Sequence, residues 1–286
     1  MKNRDHYMPG FDWRFLLPRY WMTWLGLLLL WFLNFLPFKL KRSLSSFIGQ
    51  KVYQQNVKRR NIVETNLAMA FPEKSQQERE QLALRFTINM IFILLDYPLL
   101  FWSSKQTLHK RIQFKGLENI ASCQEKNQPV ILLTCHMLAL EYGALALTEK
   151  IKMAGLIKPA RNKLFEWFIA RGRMRFEGQA KLFLREKGIR PVIREIKKQR
   201  AFYYLPDEDL GEKAKTCFVP FFGVETATLT ALAPMVKMTK AAVLPAVTIL
   251  DEKTGCYLLE IEKPLEDFPG KDQLKNMERM NHILER

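Results

Sequence analysis

Cysteine is scarce and scattered: four in 286 residues, Cys123, Cys135, Cys217 and Cys256, with no CxxC pair among them. That spacing excludes a disulfide framework and a cysteine zinc site, and fits reduced thiols facing the cytoplasm. Acidic residues are in short supply, 29 Asp plus Glu against 45 Lys plus Arg, for a formal charge of +16. The partner expected of such a chain is polyanionic: nucleic acid, an anionic membrane, an acidic protein or a phosphorylated ligand. No RNP, zinc-finger or basic-zipper pattern is present, which argues against nucleic acid, whereas Trp and Phe near basic residues fit a membrane interface. Repeats and low-complexity linkers are missing too, so no second soluble domain is indicated.

Charge is absent altogether from one stretch. Between Arg19 and Lys39 lie nineteen uncharged residues, YWMTWLGLLLLWFLNFLPF, about long enough as a helix to cross a ~30 Å hydrocarbon layer. The run continues into PFKLKR without a cleavage-site pattern, so it reads as an uncleaved anchor. Residues 39 to 60 carry seven Lys and Arg and no acid, a bias that puts the body of the protein in the cytoplasm. The alternative is a helix sunk into one leaflet. The expected division is an anchor over 1–40 and one domain over 41–286, helical from 41 to 110 and α/β from 111 onward.

Residues 41 to 70 read as a basic amphipathic helix, and SQQE at 75–78 is a capping box opening a second helix that runs to Pro98. From residue 111 short apolar runs (RIQFKG, PVILLTC, GLIKPA, AFYYLP, AAVLPAVTIL, CYLLEIEKP) alternate with helical stretches such as NKLFEWFIARGRMRF, PVIREIKKQ and TATLTALAPMVKMTK. This alternation predicts an α/β fold with a largely buried sheet. Ligand sites in such sheets collect beyond the carboxyl ends of strands, where His136 and the PDED of 206–209 both fall.

His136 and Glu141 interrupt an apolar run, ILLTCHMLALEYGA. An imidazole can accept a proton near neutral pH if a carboxylate fixes its other nitrogen, and Glu141 is the candidate orienter. A five-residue step turns about 500° on a helix, so the pairing requires His136 to precede the helix that carries Glu141. The plain alternative is a capping histidine with an unrelated glutamate. Arg171, Arg173 and Arg175 could grip a phosphate or an oxyanion, or form a solvated face. Asp207 and Asp209 could bind a cation, position a substrate or make a polar turn. Phe218, Phe221 and Phe222 in FVPFFG could line an acyl slot or pack in the core.

CHMLALE, KPARNKLFEWFIARGRMR, YYLPDEDLGEKAKTCFVPFFGVETATLT and MTKAAVLPA, in this order behind an N-terminal apolar helix, resemble the late acyltransferases of lipid A biosynthesis, the lauroyl and myristoyl transferases of Gram-negative bacteria. The resemblance covers the chain from the anchor to about residue 265. It implies a mixed sheet flanked by helices, like that of glycerolipid acyltransferases, behind a membrane-anchoring helix. It also implies transfer of an acyl chain from acyl carrier protein to a hydroxyl of an acyl chain on a Kdo-lipid A precursor, at the cytoplasmic side of the inner membrane. No cofactor and no metal are expected.

By position, His136 and Glu141 fill the family's His-x4-Asp/Glu motif and are the expected catalytic pair. Arg173 matches a family arginine (oxyanion or substrate phosphate), Asn162 the asparagine opening the second helix, and Asp207 and Asp209 the Asp-x-Asp. Lys158 stands where relatives carry arginine before proline, keeping charge without the bidentate fork. Relatives continue beyond NHILER with an aromatic and basic tail. Other expectations stay open: a glycolipid or glycerophosphate acceptor, a metal-dependent glycosyltransferase resting on Asp207 and Asp209, or a lipid-binding membrane adaptor.

Overall fold

The computed structural model describes residues 6–176, 178–208 and 215–286. A helical assembly comes first: α1 (Trp21–Leu33), α2 (Phe38–Gln55), α3 (Val57–Ala70), α4 (Gln76–Asp96), α5 (Pro98–Trp102) and α6 (Lys105–Arg111). The expected single helix over 41–70 is broken at Asn56, whose side chain caps α3 by accepting from the Arg59 N–H. The capping box forms as expected: Ser75 accepts from the Glu78 N–H and Glu78 accepts from that of Ser75.

The rest is a sheet with helices on both faces: β1 (Ile112–Lys115), α7 (Leu117–Glu125), β2 (Val130–Leu133), α8 (Leu140–Lys150), β3 (Met153–Ile157), α9 (Lys163–Arg173), β4 (Ala180–Leu184), α10 (Arg190–Lys197), β5 (Ala201–Tyr204), β6 (Thr216–Phe221), β7 (Val224–Leu229), α11 (Leu232–Thr239), β8 (Ala242–Leu250), β9 (Tyr257–Ile261) and α12 (Gln273–Glu285). Seven strands lie in the order β1-β9-β8-β2-β5-β3-β4. All neighbours pair parallel except β8 with β9. β2 and β5 are buried along their whole length, which is why they read as unbroken apolar runs rather than alternating ones.

Side chains alternate across these strands. Ile131, Leu133, Phe202, Tyr204 and Val243 pack under Val192 and Ile196 of α10 and Met235 of α11. Val130, Leu132, Tyr203, Ala242 and Leu244 pack with Ile120 of α7 and Leu147 of α8 on the other face. The β6–β7 pair is an antiparallel hairpin outside the main sheet. Its second strand takes residues 224–229, where the sequence predicted the start of a helix; VETATL is rich in β-branched residues, and this local preference prevails.

The expected spanning anchor is not what these residues form. A 3₁₀ turn occupies Pro18–Tyr20, and α1 ends at Leu33, ahead of Pro37. Thirteen helical residues measure about 20 Å, short of the ~30 Å apolar layer. One side of α1 is committed to protein: Leu27 packs with Phe15 and with Leu164 of α9. Among the described residues the one helical stretch long and apolar enough to cross a membrane is Gln76–Trp102. Its inner face belongs to the protein interior, where Asp96 is fully buried and binds Lys41 at 2.9 Å, Arg111 at 2.7 Å and Tyr257 at 2.9 Å.

Candidate active site

β2 and β5 are parallel neighbours with Leu133 opposite Tyr204. His136 and Asp207 each lie three residues beyond that register pair, so equal offsets from adjacent strand ends bring them side by side. The Asp207 carboxylate accepts twice from His136, from the backbone N–H at 2.7 Å and from Nδ1 at 2.9 Å. Engaging Nδ1–H leaves Nε2 carrying the lone pair, the tautomer a general base requires.

The hydrogen bond to Asp207 raises the His136 pKa above its ordinary value; partial burial opposes this, and the charges of Asp207 and Glu208 add to it. Burial pushes the Asp207 carboxyl upward, but the hydrogen bonds from His136 outweigh burial and leave it below its usual value. Cys135 is not a competing nucleophile. Burial and the neighbouring Asp207 push its thiol up to about 11, so it stays protonated at neutral pH.

No hydrogen bond joins Glu141 to the imidazole. The glutamate sits in the first turn of α8, with His136 before the helix as the spacing required, but its carboxylate faces α9. There Arg173 grips it with both arms, Nε at 3.1 Å and Nη2 in close contact. A planar guanidinium matches a carboxylate fork better than an imidazole can, so Glu141 goes to the arginine.

Two close approaches fix this pair. A Cβ on Gly143 would sit 2.1 Å from Thr248 Oγ1 of β8, and one on Gly172 would sit 1.8 Å from the Phe101 ring of α5. The glycines let α8 settle on the sheet and the end of α9 settle on α5, which places Glu141 and Arg173 within reach of each other.

His136, Glu141 and Arg173 line one cavity of about 350 Å³ together with Lys158 and Arg185. These polar groups follow strand ends or flank helix termini. The cavity then runs along one face of α8, Leu140, Ala144, Leu145 and Thr148, and back along β3 to Met153. Eight residues of α8 give it a length of roughly 12 Å. It is a charged mouth leading into an apolar slot.

Other expected site residues lie elsewhere. Asn162 caps α9 by accepting from the Phe165 N–H and donates to Thr23 of α1 at 2.7 Å, so it ties α1 to the domain rather than lining the cavity. Phe218 is 68% exposed on the β6–β7 hairpin. Phe222 meets the ring of Phe71 with centroids 5.5 Å apart, and Phe221 packs on Phe222. None of the three lines the slot: their hairpin stands off the sheet, and the slot walls come from α8, β3 and β4 instead. Asp209 lies outside the described residues. The slot-lining residues Ala144, Thr148 and Met153 escaped sequence reasoning because small and apolar side chains carry no chemical signature.

Residues 8–286 match the family model of bacterial lipid A biosynthesis acyltransferases. The chain belongs to this family. A lipid A biosynthesis acyltransferase of Haemophilus influenzae is 35% identical over 90% of this chain and 80% of its own length. The lipid A biosynthesis myristoyltransferase of Escherichia coli is 30% identical over 99% of this chain and 87% of its own. For the lauroyltransferase of the same organism the values are 29%, 98% and 90%. A late lipid A acylation activity in general follows from family membership.

Proposed function

We propose that this acyltransferase moves a fatty acyl chain from acyl carrier protein to a hydroxyl of an acyl chain on a Kdo-bearing lipid A precursor. The observation that carries the reading is the His136–Asp207 pair, with Nε2 left free, at the charged mouth of an apolar slot. The donor chain occupies the slot along α8 and β3, which sets its thioester carbon at the mouth. His136 Nε2 takes the proton of the acceptor hydroxyl as the oxygen attacks that carbon. Asp207 holds the ring and stabilises the imidazolium, and the proton then passes to the departing thiolate. General-base help supplies about 10²- to 10⁴-fold, with orientation and charge stabilisation supplying the rest.

Arg173, held by Glu141 through Nε and Nη2, keeps Nη1 for the tetrahedral oxyanion or an acceptor phosphate. Lys158 adds positive charge at the mouth for the acceptor's phosphates and Kdo carboxylates, and Arg185, paired there with Glu208 at 2.6 Å, keeps its other nitrogens for them. A thioester is already activated, so the scheme uses no cofactor.

The N-terminal segment supports a membrane setting. Trp21, Met22, Leu25, Leu29, Phe32 and Phe35 are all exposed and lie between Arg19 and Lys39, an apolar surface with basic flanks. A helix of about 20 Å fits one leaflet, so α1 sits in the cytoplasmic leaflet of the inner membrane without crossing it.

The test is to incubate the purified protein with acyl carrier proteins bearing chains of several lengths and a defined Kdo-lipid A precursor, reading product masses. One donor length transferred to a secondary hydroxyl is the expected result. Transfer to a glycerophosphate acceptor instead, or no transfer, would overturn the acceptor assignment.

A further inference from the structure

The helix α10 carries a basic stripe that the site does not use. Arg190, Arg194 and Lys197 recur at i, i+4 and i+7 and therefore share one face; all three are exposed, as are Lys187 just before the helix and Lys198 just after it. The opposite face is fixed in the core by Val192 and Ile196. Lys198 is paired with Glu195. For Lys187, Arg190, Arg194 and Lys197 there is no carboxylate partner among the described residues.

This face is rigidly connected to the cavity. Buried Glu195 of α10 binds Lys181 of the cavity wall at 3.0 Å and Arg200 at 3.0 Å. Arg185 of the cavity mouth lies two residues before Lys187. The stripe thus begins beside the mouth and runs about 12 Å along the domain.

It also lies on the side of the sheet turned away from the apolar N-terminal surface. The connection from β3 to β4 through α9 and the return from β4 to β5 through α10 cross the sheet in opposite directions, and right-handed crossovers put such helices on opposite faces. The helix that carries the exposed apolar surface, α1, packs on α9 through Leu27 against Leu164, while α10 packs with α11 over the other face. A membrane gathered by α1 leaves α10 open to solution.

We propose that the α10 stripe is the docking surface for the acidic carrier protein that presents the acyl thioester. The inference rests on the donor reading above and adds the place of contact. Opposed charge on a rigid helix steers an acidic helical partner and sets its register, while the reacting groups lie elsewhere.

The test compares the wild-type protein with the reversal Arg190→Glu/Arg194→Glu/Lys197→Glu and the neutral triple to Gln. Each is assayed with acyl-acyl carrier protein and with the same acyl chain on pantetheine. The expected result for the reversal is a KM for the protein-borne donor raised at least about tenfold and falling as salt screens the new repulsion, with pantetheine thioester turnover unchanged and the Gln variant in between and little affected by salt. An unchanged KM for the protein-borne donor overturns the proposal. So does equal loss with both donors, or lost binding to phosphatidylglycerol vesicles at unchanged donor kinetics, which would give the stripe to the membrane. A wild-type protein that uses the pantetheine thioester but not acyl-acyl carrier protein would overturn the donor reading, and this surface with it.

Discussion

Asp96 and Asp207 are both carboxylates held by side-chain hydrogen bonds, yet their surroundings differ in every respect that separates scaffold from chemistry. Asp96 is fully buried and saturated by Lys41, Arg111 and Tyr257, which join α2, α4, α6 and β9. Asp207 meets His136, whose side chain is 52% exposed, and the ring keeps one nitrogen uncommitted. Arg173 and Glu141 are likewise partly exposed, at 31% and 32%. A closed network spends all its hydrogen bonds on the fold. An open one keeps a lone pair and N–H groups for a substrate.

The comparison breaks most visibly if each half is cut. Asp96→Ala leaves Lys41 and Arg111 beside a void without their anion, and removing one partner of a buried pair costs about 3–5 kcal/mol. A large fall in melting temperature is expected, with the surviving folded fraction as active per molecule as wild type. His136→Ala should do the reverse. Acyl transfer falls by about 10²- to 10⁴-fold, while denaturant unfolding moves by no more than about 0.5 kcal/mol, as for an exposed side chain.

Glu141→Ala sharpens the contrast within the site. The pair is partly solvated, so its stability effect stays below about 1 kcal/mol. Freed from its fork, Arg173 loses its fixed position, and turnover drops by up to about 100-fold while lipid A precursor binding, followed by co-sedimentation, persists. Wild-type-like turnover would remove Glu141 and Arg173 from the mechanism.

Much of this division was legible in the sequence. The buried parallel strands announced themselves as continuous apolar runs, and His136 and the PDED turn both fell beyond strand ends. Two partnerships were not legible. The sequence suggested Glu141 for His136 because the two are near in the chain, whereas the ring's partner is 71 residues away. Strand register sets that contact, and register is a tertiary property that the sequence does not display. Likewise the acyl slot was sought in Phe218, Phe221 and Phe222, because aromatic loops look like walls, while the actual walls are small and aliphatic residues of α8, β3 and β4. The apolar run of 20–38 reads as a span by length alone, and the 3₁₀ turn and Pro37 that shorten its helix carry little weight in such a count.

The central claim is that His136 acts as the base under the control of Asp207, and the pH dependence of kcat/KM in wild type and Asp207→Asn tests it most directly. A base works when neutral, so wild-type activity should rise through a pKa above the ordinary ~6.5 of histidine, because Asp207 favours the charged ring. In Asp207→Asn that limb should move to lower pH while the plateau falls, with the melting temperature little changed. An acidic limb that stays where it is, at an undiminished plateau, would contradict the account.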